Sequence, residues 1–216
     1  MSPQSGPRPS SWGGGRDRLL AAARAVFAEK GYERGGIREI AARAEVTDVM
    51  IYKHFGSKSA LFEAATIEPF SSYVTGYIEE WTTRGPARRT PLEEAYDFLR
   101  GLYDVLHGER EILTAMISVR QFDPGFAAGS GRVEEAFDDA LARYEELIAT
   151  ETAKQGYPQF DAHMWARLIF GSVLALAVHG DMLNNGEFPS PERAITELAE
   201  LTVRAVTAGE GTPASR

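Results

Sequence analysis

The sequence predicts an all-α protein of about nine helices, with a small N-terminal three-helix unit followed by a larger helical body. Three observations carry that prediction. Apolar residues recur at i, i+3 and i+4 through most of the 216 residues, the pattern of helices with one buried face. Glycine, proline and asparagine mark the ends of the periodic stretches, as at Gly156-Tyr157-Pro158 and Asn184-Asn185-Gly186. The stretch Gly36–Phe55 reads as two short helices joined by a tight turn, and neither a strand pattern nor an internal repeat stands out.

Taken in order, residues 1–15 hold three Pro, four Gly and four Ser and are expected to be a disordered tail. Helix 1 is expected over Arg16–Lys30, with Leu19, Leu20, Ala23, Val26 and Phe27 as its buried stripe and Gly31 at the C-terminal position that favours a left-handed backbone. Helix 2 turns Ile37, Ile40 and Ala41 to one side. Ala44-Glu45-Val46 form the turn, and Thr47 is suited to cap helix 3. Within helix 3, Ile51 and Phe55 face inward, leaving Asp48, Val49, Tyr52 and Lys53 outside. Two short helices and a three-residue turn make a helix-turn-helix, whose second helix can lie in a DNA major groove.

Helix 4 is expected from Ser57-Lys58 towards Arg84, interrupted near Pro69, which has no N–H to donate. Pro91 opens helix 5, whose stripe runs through Leu92, Ala95, Tyr96, Leu99, Leu102, Tyr103 and Leu106. Helix 6 covers about Glu111–Arg120, and 121–132 is the longest internal loop. Helix 7 spans about Val133–Gln155, helix 8 runs from a cap at Asp161 to about Leu183, and helix 9 runs from Pro191 to about Ala208. The run Leu168–Val178 is apolar on every side, so it should be buried all round. Its eleven residues fall short of the roughly 20 needed to cross a bilayer.

Residues Arg16–Phe62 resemble the N-terminal domain of the TetR (TetR/AcrR-like) family of bacterial transcriptional repressors. The resemblance rests on Leu20 with Ala22-Ala23, Phe27, Gly31-Tyr32, Ile40-Ala41, Val46, Tyr52, His54-Phe55, Ser57-Lys58 and Leu61, in order and without gaps. It implies a DNA-binding domain over 16–62, a ligand-binding and dimerisation domain over 63–208 and a frayed tail over 209–216. Two departures stand out. Gly35-Gly36 replace the hydroxyl residues with which the family caps helix 2, and Glu45 replaces a turn glycine. If Glu45 is left-handed, the strain is on the order of 1–2 kcal/mol.

Charge is distributed in keeping with that division. The net charge is −8, but residues 16–60 hold nine Lys/Arg against six Asp/Glu, while 61–216 hold thirteen against twenty-five. The basic excess thus sits where phosphates would be met. There is no cysteine, which suits a reducing cytoplasm and excludes disulfides.

The DNA-contacting residues expected from the helix-turn-helix and the resemblance are Arg38, Thr47, Asp48, Val49, Met50, Tyr52, Lys53, His54 and Lys58. Tyr52, Lys53 and Lys58 suit the backbone. Val49 and Met50 suit thymine methyl groups, and Asp48 suits a cytosine amino group or a helix cap. For the body, the resemblance implies a small-molecule pocket among helices 4 to 8. Its candidate lining is Tyr77, Trp81, Phe98, Leu102, Met116, Arg120, Phe122, Tyr144, Trp165 and His179. Arg120 and His179 are the sharpest of these, because a charge in an apolar helix needs a partner; Asp123 and Asp181 are the alternative partners. The partners expected are double-stranded operator DNA, a small-molecule effector and a second copy joined through helices 8 and 9, with no membrane and no cofactor. The four His (54, 107, 163 and 179) form no catalytic or metal motif, so no enzyme is expected. A ligand carrier that kept the fold, or an enzyme using His163 or His179, are the rival classes.

Overall fold

The computed structural model describes residues 13–84, 89–123, 126, 132–157, 161–183 and 190–208. Among them are nine helices: α1 (Gly13–Arg34), α2 (Ile37–Arg43), α3 (Asp48–Phe55), α4 (Lys58–Arg84), α5 (Pro91–Gly108), α6 (Arg110–Phe122), α7 (Arg132–Lys154), α8 (Ala162–Leu183) and α9 (Pro191–Ala208). No strand occurs among the described residues. They form two compact units. One joins the residues up to Thr66 with Thr114–Val133, and the other joins Ile67–Leu113 with the residues from Glu134 onward.

In the N-terminal unit the stripe of α1 is fully inside: Leu19, Leu20, Ala23, Val26 and Phe27 are all buried. Helix α1 starts at Gly13, so 13–15, expected in the disordered tail, extend its first turn. Gly31, at φ 71° and ψ 175°, breaks its regular path before a last turn ending at Arg34. Helix α1 packs on α2, and α2 on α3; Ile40 and Ala41 of α2, Ile51 and Phe55 of α3, and Leu61 and Phe62 of α4 are all buried with the stripe. Phe62 anchors an aromatic cluster, with ring centroids 4.8 Å from Phe27, 5.0 Å from Tyr32 and 6.0 Å from Phe126.

The turn of the helix-turn-helix is a Schellman motif. The Glu45 N–H donates to the Ala42 carbonyl at 3.3 Å and the Val46 N–H to the Ala41 carbonyl at 3.0 Å. Glu45 takes the left-handed position at φ 56°, where the family pattern has glycine. Gly36 caps α2 without a side-chain bond. Gly35 is packed so closely that a Cβ there would lie 2.7 Å from Phe27 Cδ1, which explains why no hydroxyl residue stands at that position.

Helix α4 corrects the expected interruption, because it runs unbroken from Lys58 to Arg84 with Pro69 inside it. Ile67 and Phe70 on either side of the proline are buried, so side-chain packing holds the segment where one ladder hydrogen bond is missing.

The second unit packs α5 against α8 and α9. Its core joins Ile67, Phe70 and Val74 of α4, Phe98, Leu99, Leu102 and Leu106 of α5, Ala140 and Leu141 of α7, Ile169, Val173 and Leu176 of α8, and Ile195 and Ala199 of α9. Leu92, expected on the α5 stripe, is 40% exposed. Helix α5 begins with a capping box: the Thr90 hydroxyl accepts from the Glu93 N–H, and the Glu93 carboxylate accepts from the Thr90 N–H at 2.7 Å. Asp161 caps α8 by accepting from the Met164 N–H at 2.9 Å. Arg167 of α8 donates to Asp138 (2.9 Å) and to Glu145 of α7.

Within a single chain helix α8 is buried on one side only, and its other side is the one expected to meet a second copy. Ile169, Val173, Leu176 and Ala177 face the core, whereas Met164 and Leu168 are 52% and 53% exposed and Gly171 and Ser172 also face outward. By length and composition the stretch Ala162–Gly180, of mean hydropathy 1.3, could cross a membrane, so the apolar segment is longer than the eleven residues read from the sequence. Its inner face is committed to the core of this unit.

Candidate nucleic-acid interface and ligand cavity

Helix α3 is fixed from beneath and bare above. Ile51 and Phe55 are buried, while Val49, Tyr52 and Met50 are 70%, 51% and 43% exposed. Lys53, His54, Thr47 and, on α2, Arg38 are exposed beside them. Large apolar side chains seldom project together from a folded surface without a use. The start of the helix is held by its own side chains. The Thr47 hydroxyl accepts from the Met50 N–H at 3.3 Å, and Asp48 Oδ1 accepts from the Val49 N–H at 2.9 Å. Asp48 therefore supports the helix start, the capping alternative foreseen for it.

Lys58 is differently placed from the other expected contacts. Its Nζ donates to the Glu33 carbonyl at 3.0 Å and lies 4.7 Å from the Tyr32 ring centroid. Burial pushes its ammonium below the ordinary lysine value. The lysine thus ties the end of α1 to the start of α4, with its remaining donors available to an outside partner. Other basic residues of this unit are engaged as well. Lys30 pairs with Glu39 and Arg43 with Glu29, at 2.7 and 2.8 Å, and Arg16 lies over the Phe55 ring.

In the second unit a cavity of about 130 Å3 opens among α4, α5, α7 and α9. Tyr77 and Trp81 come from α4, and Pro91, Glu94 and Ala95 from α5. Helix α7 supplies Tyr144, Leu147, Ile148, Glu151 and Thr152, followed by Gln155 and Tyr157, and α9 supplies Thr202, Val203, Val206 and Thr207. Burial raises the Tyr77 hydroxyl above its ordinary value, and the nearby Glu94 carboxylate adds to the rise. Burial likewise raises Tyr144, so both phenols stay neutral donors. A wider, more polar groove of about 680 Å3 between α4 and α7 shares Trp81, Leu147, Glu151 and Gln155 with the cavity.

Of the ten lining residues expected from the sequence, Tyr77, Trp81 and Tyr144 reach this cavity. Phe98 and Leu102, with Tyr144, line only a gap of about 10 Å3 in the core. The Phe98 and Tyr144 rings stack there with centroids 4.0 Å apart. Met116, Arg120 and Phe122 are not among the residues lining this cavity: they lie on the part of α6 that joins the N-terminal unit, where Met116 is buried and Phe122 is 78% exposed. Trp165 packs on the core of the second unit, and His179 is exposed on α8. Asp181, named as a partner, has a side chain outside the described residues. Helix α9, rather than α8, completes the cavity. The α7 face was legible, since Tyr144, Leu147, Ile148 and Glu151 follow i, i+3, i+4, i+7. The α9 contribution had no local signal.

A three-helix unit presenting the second helix of a helix-turn-helix, in a chain that also folds a helical body with a cavity, defines a DNA-binding regulator. A family profile described as bacterial regulatory proteins, tetR family, matches residues 19–65. The HTH-type transcriptional activator FasR of Mycolicibacterium smegmatis is 36% identical over 166 residues, covering 76% of this chain and 68% of FasR. The A-factor receptor protein of Streptomyces griseus is 30% identical over 154 residues, 71% of this chain and 50% of the receptor. Among solved structures, the transcriptional regulator FadR from Bacillus subtilis in complex with stearoyl-CoA shares the fold at a TM-score of 0.62 and 19% identity, with 89% of this chain and 97% of FadR covered. The chain belongs to the TetR family of bacterial transcriptional regulators.

Proposed function

We propose that this regulator is a cytoplasmic, non-enzymatic repressor that binds a palindromic operator as a homodimer and leaves it when a small molecule enters the cavity of the second unit. The observation that carries the reading is the outer face of α3, where Val49, Met50 and Tyr52 stand exposed beside Lys53. Val49 and Met50 suit thymine methyl groups, while Tyr52, Lys53 and the spare donors of Lys58 suit phosphates; Arg38, Thr47 and His54 border that face. The uncovered apolar side of α8, with Met164, Leu168 and Gly171, together with exposed Leu201 of α9, supports pairing with a second copy. A two-fold pair reads half-sites about 34–36 Å apart, or multiples of that spacing. Release follows if the ligand prefers a conformation whose two recognition helices are misplaced for the grooves; DNA and ligand then weaken each other reciprocally.

The direct test is retardation of DNA from the chain's own upstream region. Tyr52→Ala with Lys53→Ala should weaken binding at least tenfold, with the far-ultraviolet circular dichroism spectrum unchanged. Unchanged affinity in that variant removes α3 as the reading element. FasR is named an activator, so a promoter–reporter fusion with and without the regulator decides the sign of control: higher output with the protein present overturns repression.

A further inference from the structure

The charges around the cavity restrict what can occupy it. Its charged lining residues are two carboxylates, Glu94 of α5 and Glu151 of α7, and no lysine or arginine is among the residues that line it. Lys154, which pairs with Glu151 at 2.7 Å, belongs to the neighbouring groove. The remaining walls are mostly aromatic and aliphatic, with Thr152, Gln155, Thr202 and Thr207 as neutral polar groups. Tyr77, Trp81 and Tyr144 offer ring faces, and Tyr77 and Trp81 lie with centroids 6.1 Å apart. The Tyr77 hydroxyl donates to the Glu94 backbone carbonyl at 3.4 Å, which fixes that ring beside the start of α5.

We propose that this cavity takes a small aromatic amine in its cationic form, the ring held among Tyr77, Trp81 and Tyr144 and the ammonium directed to Glu94 and Glu151. The inference deepens the effector reading above and rests on it. A volume near 130 Å3 matches one ring, since cavities of about 150 Å3 hold benzene. A cation gains from ring faces as well as from carboxylates. An acyl carboxylate or a phosphate would instead meet the Glu94 carboxylate, and Glu151 with its charge already balanced by Lys154, and would find no lysine or arginine among the lining residues. The chain would therefore differ from the FadR structure, whose ligand is stearoyl-CoA.

The experiment titrates the full-length protein by calorimetry with phenethylamine, 2-phenylethanol and 3-phenylpropanoate, which share a ring and differ in charge. The amine should bind at least tenfold more tightly than the acid and more tightly than the alcohol. Glu94→Gln combined with Glu151→Gln should remove most of that preference while the alcohol binds as before. Equal or tighter binding of the acid or the alcohol to the unaltered protein overturns the assignment of charge and leaves the ligand cavity standing. Preference for the amine retained in the double variant overturns the roles of the two carboxylates. If none of the three binds, the cavity reading fails and the ligand class with it. Amine binding without release of operator DNA supports the ligand class and refutes the effector role.

Discussion

Glu45 offers the most direct test of how the helix-turn-helix is built. It is the one non-glycine residue with positive φ among the described residues, at 56°, and it occupies the C′ position of a Schellman motif. A side chain in that conformation costs roughly 1–2 kcal/mol. Glycine removes the cost but loses about 0.5–1 kcal/mol through its freer unfolded chain. Glu45→Gly should therefore gain about 0.5–1 kcal/mol, and Glu45→Ala, which keeps the Cβ, should gain nothing. For a chain of this size that gain corresponds to roughly 1–4 °C in thermal denaturation. Both substitutions delete a negative charge beside α3, the proposed DNA-reading helix, so both should tighten operator binding, most clearly at low ionic strength. Stability and affinity thus separate strain from charge. An alanine variant as stable as the glycine variant, or a glycine variant that melts no higher than the parent, refutes the strain argument.

Three further outcomes follow from packing. A Cβ at Gly101 would lie 2.5 Å from the Tyr73 hydroxyl, itself donating to the Phe98 carbonyl at 2.6 Å. Gly101→Ala should cost about 1–3 kcal/mol in urea denaturation, whereas Gly76→Ala, with nothing within 4 Å, should be neutral or stabilising. Thr90→Ala breaks the capping box on α5 at a cost of about 1 kcal/mol. Because hydrogen bonds from Thr90 lower the Glu93 pKa, the stability it lends is present above the ordinary carboxylate value and lost as pH falls through the lowered one. The larger of these bonds comes from the Thr90 backbone N–H and survives in alanine, so the acid limb of a melting-temperature profile should be only slightly shallower in Thr90→Ala than in the parent. Leu168→Glu, on the exposed side of α8, should convert a dimer into a folded monomer by light scattering; a parent protein that is already monomeric at micromolar concentration sinks the homodimer.

The N-terminal unit was legible because its determinants are local. The i, i+3, i+4 stripes of α1 and α2, the Thr47 cap and the Ile51–Phe55 pair each lie within one helix or its flank, so periodicity alone places them. Even the strain at Glu45 follows from a residue type at one turn position. The cavity was legible only in part, since its walls come from α4, α5, α7 and α9, whose mutual placement no short window encodes. Aromatic residues at helical spacing identify Tyr77, Trp81 and Tyr144 as inward, but the same rule selects Phe98 and Leu102, which are plain core. Met116, Arg120 and Phe122 are not among the walls of this cavity because the far half of α6 joins the N-terminal unit, a tertiary choice with no sequence period. Pro69 misled only as to a break: α4 runs on through it, with buried residues on both sides.

The way α3 begins also sets how this protein can grip a polyanion. Helix N-termini commonly cradle phosphates with their first amides, yet here the Val49 and Met50 amides are already taken by Asp48 and Thr47. At the next helix Ser57 likewise occupies the Ala60 amide. In the proposed complex, attraction to the polyanion would fall to side-chain cations rather than to these amides, and each phosphate that such a cation neutralises releases counterions. Affinity should then decline with rising salt in proportion to the number of those cations, while apolar contact by the exposed Val49 and Met50 would add a part that salt leaves unchanged.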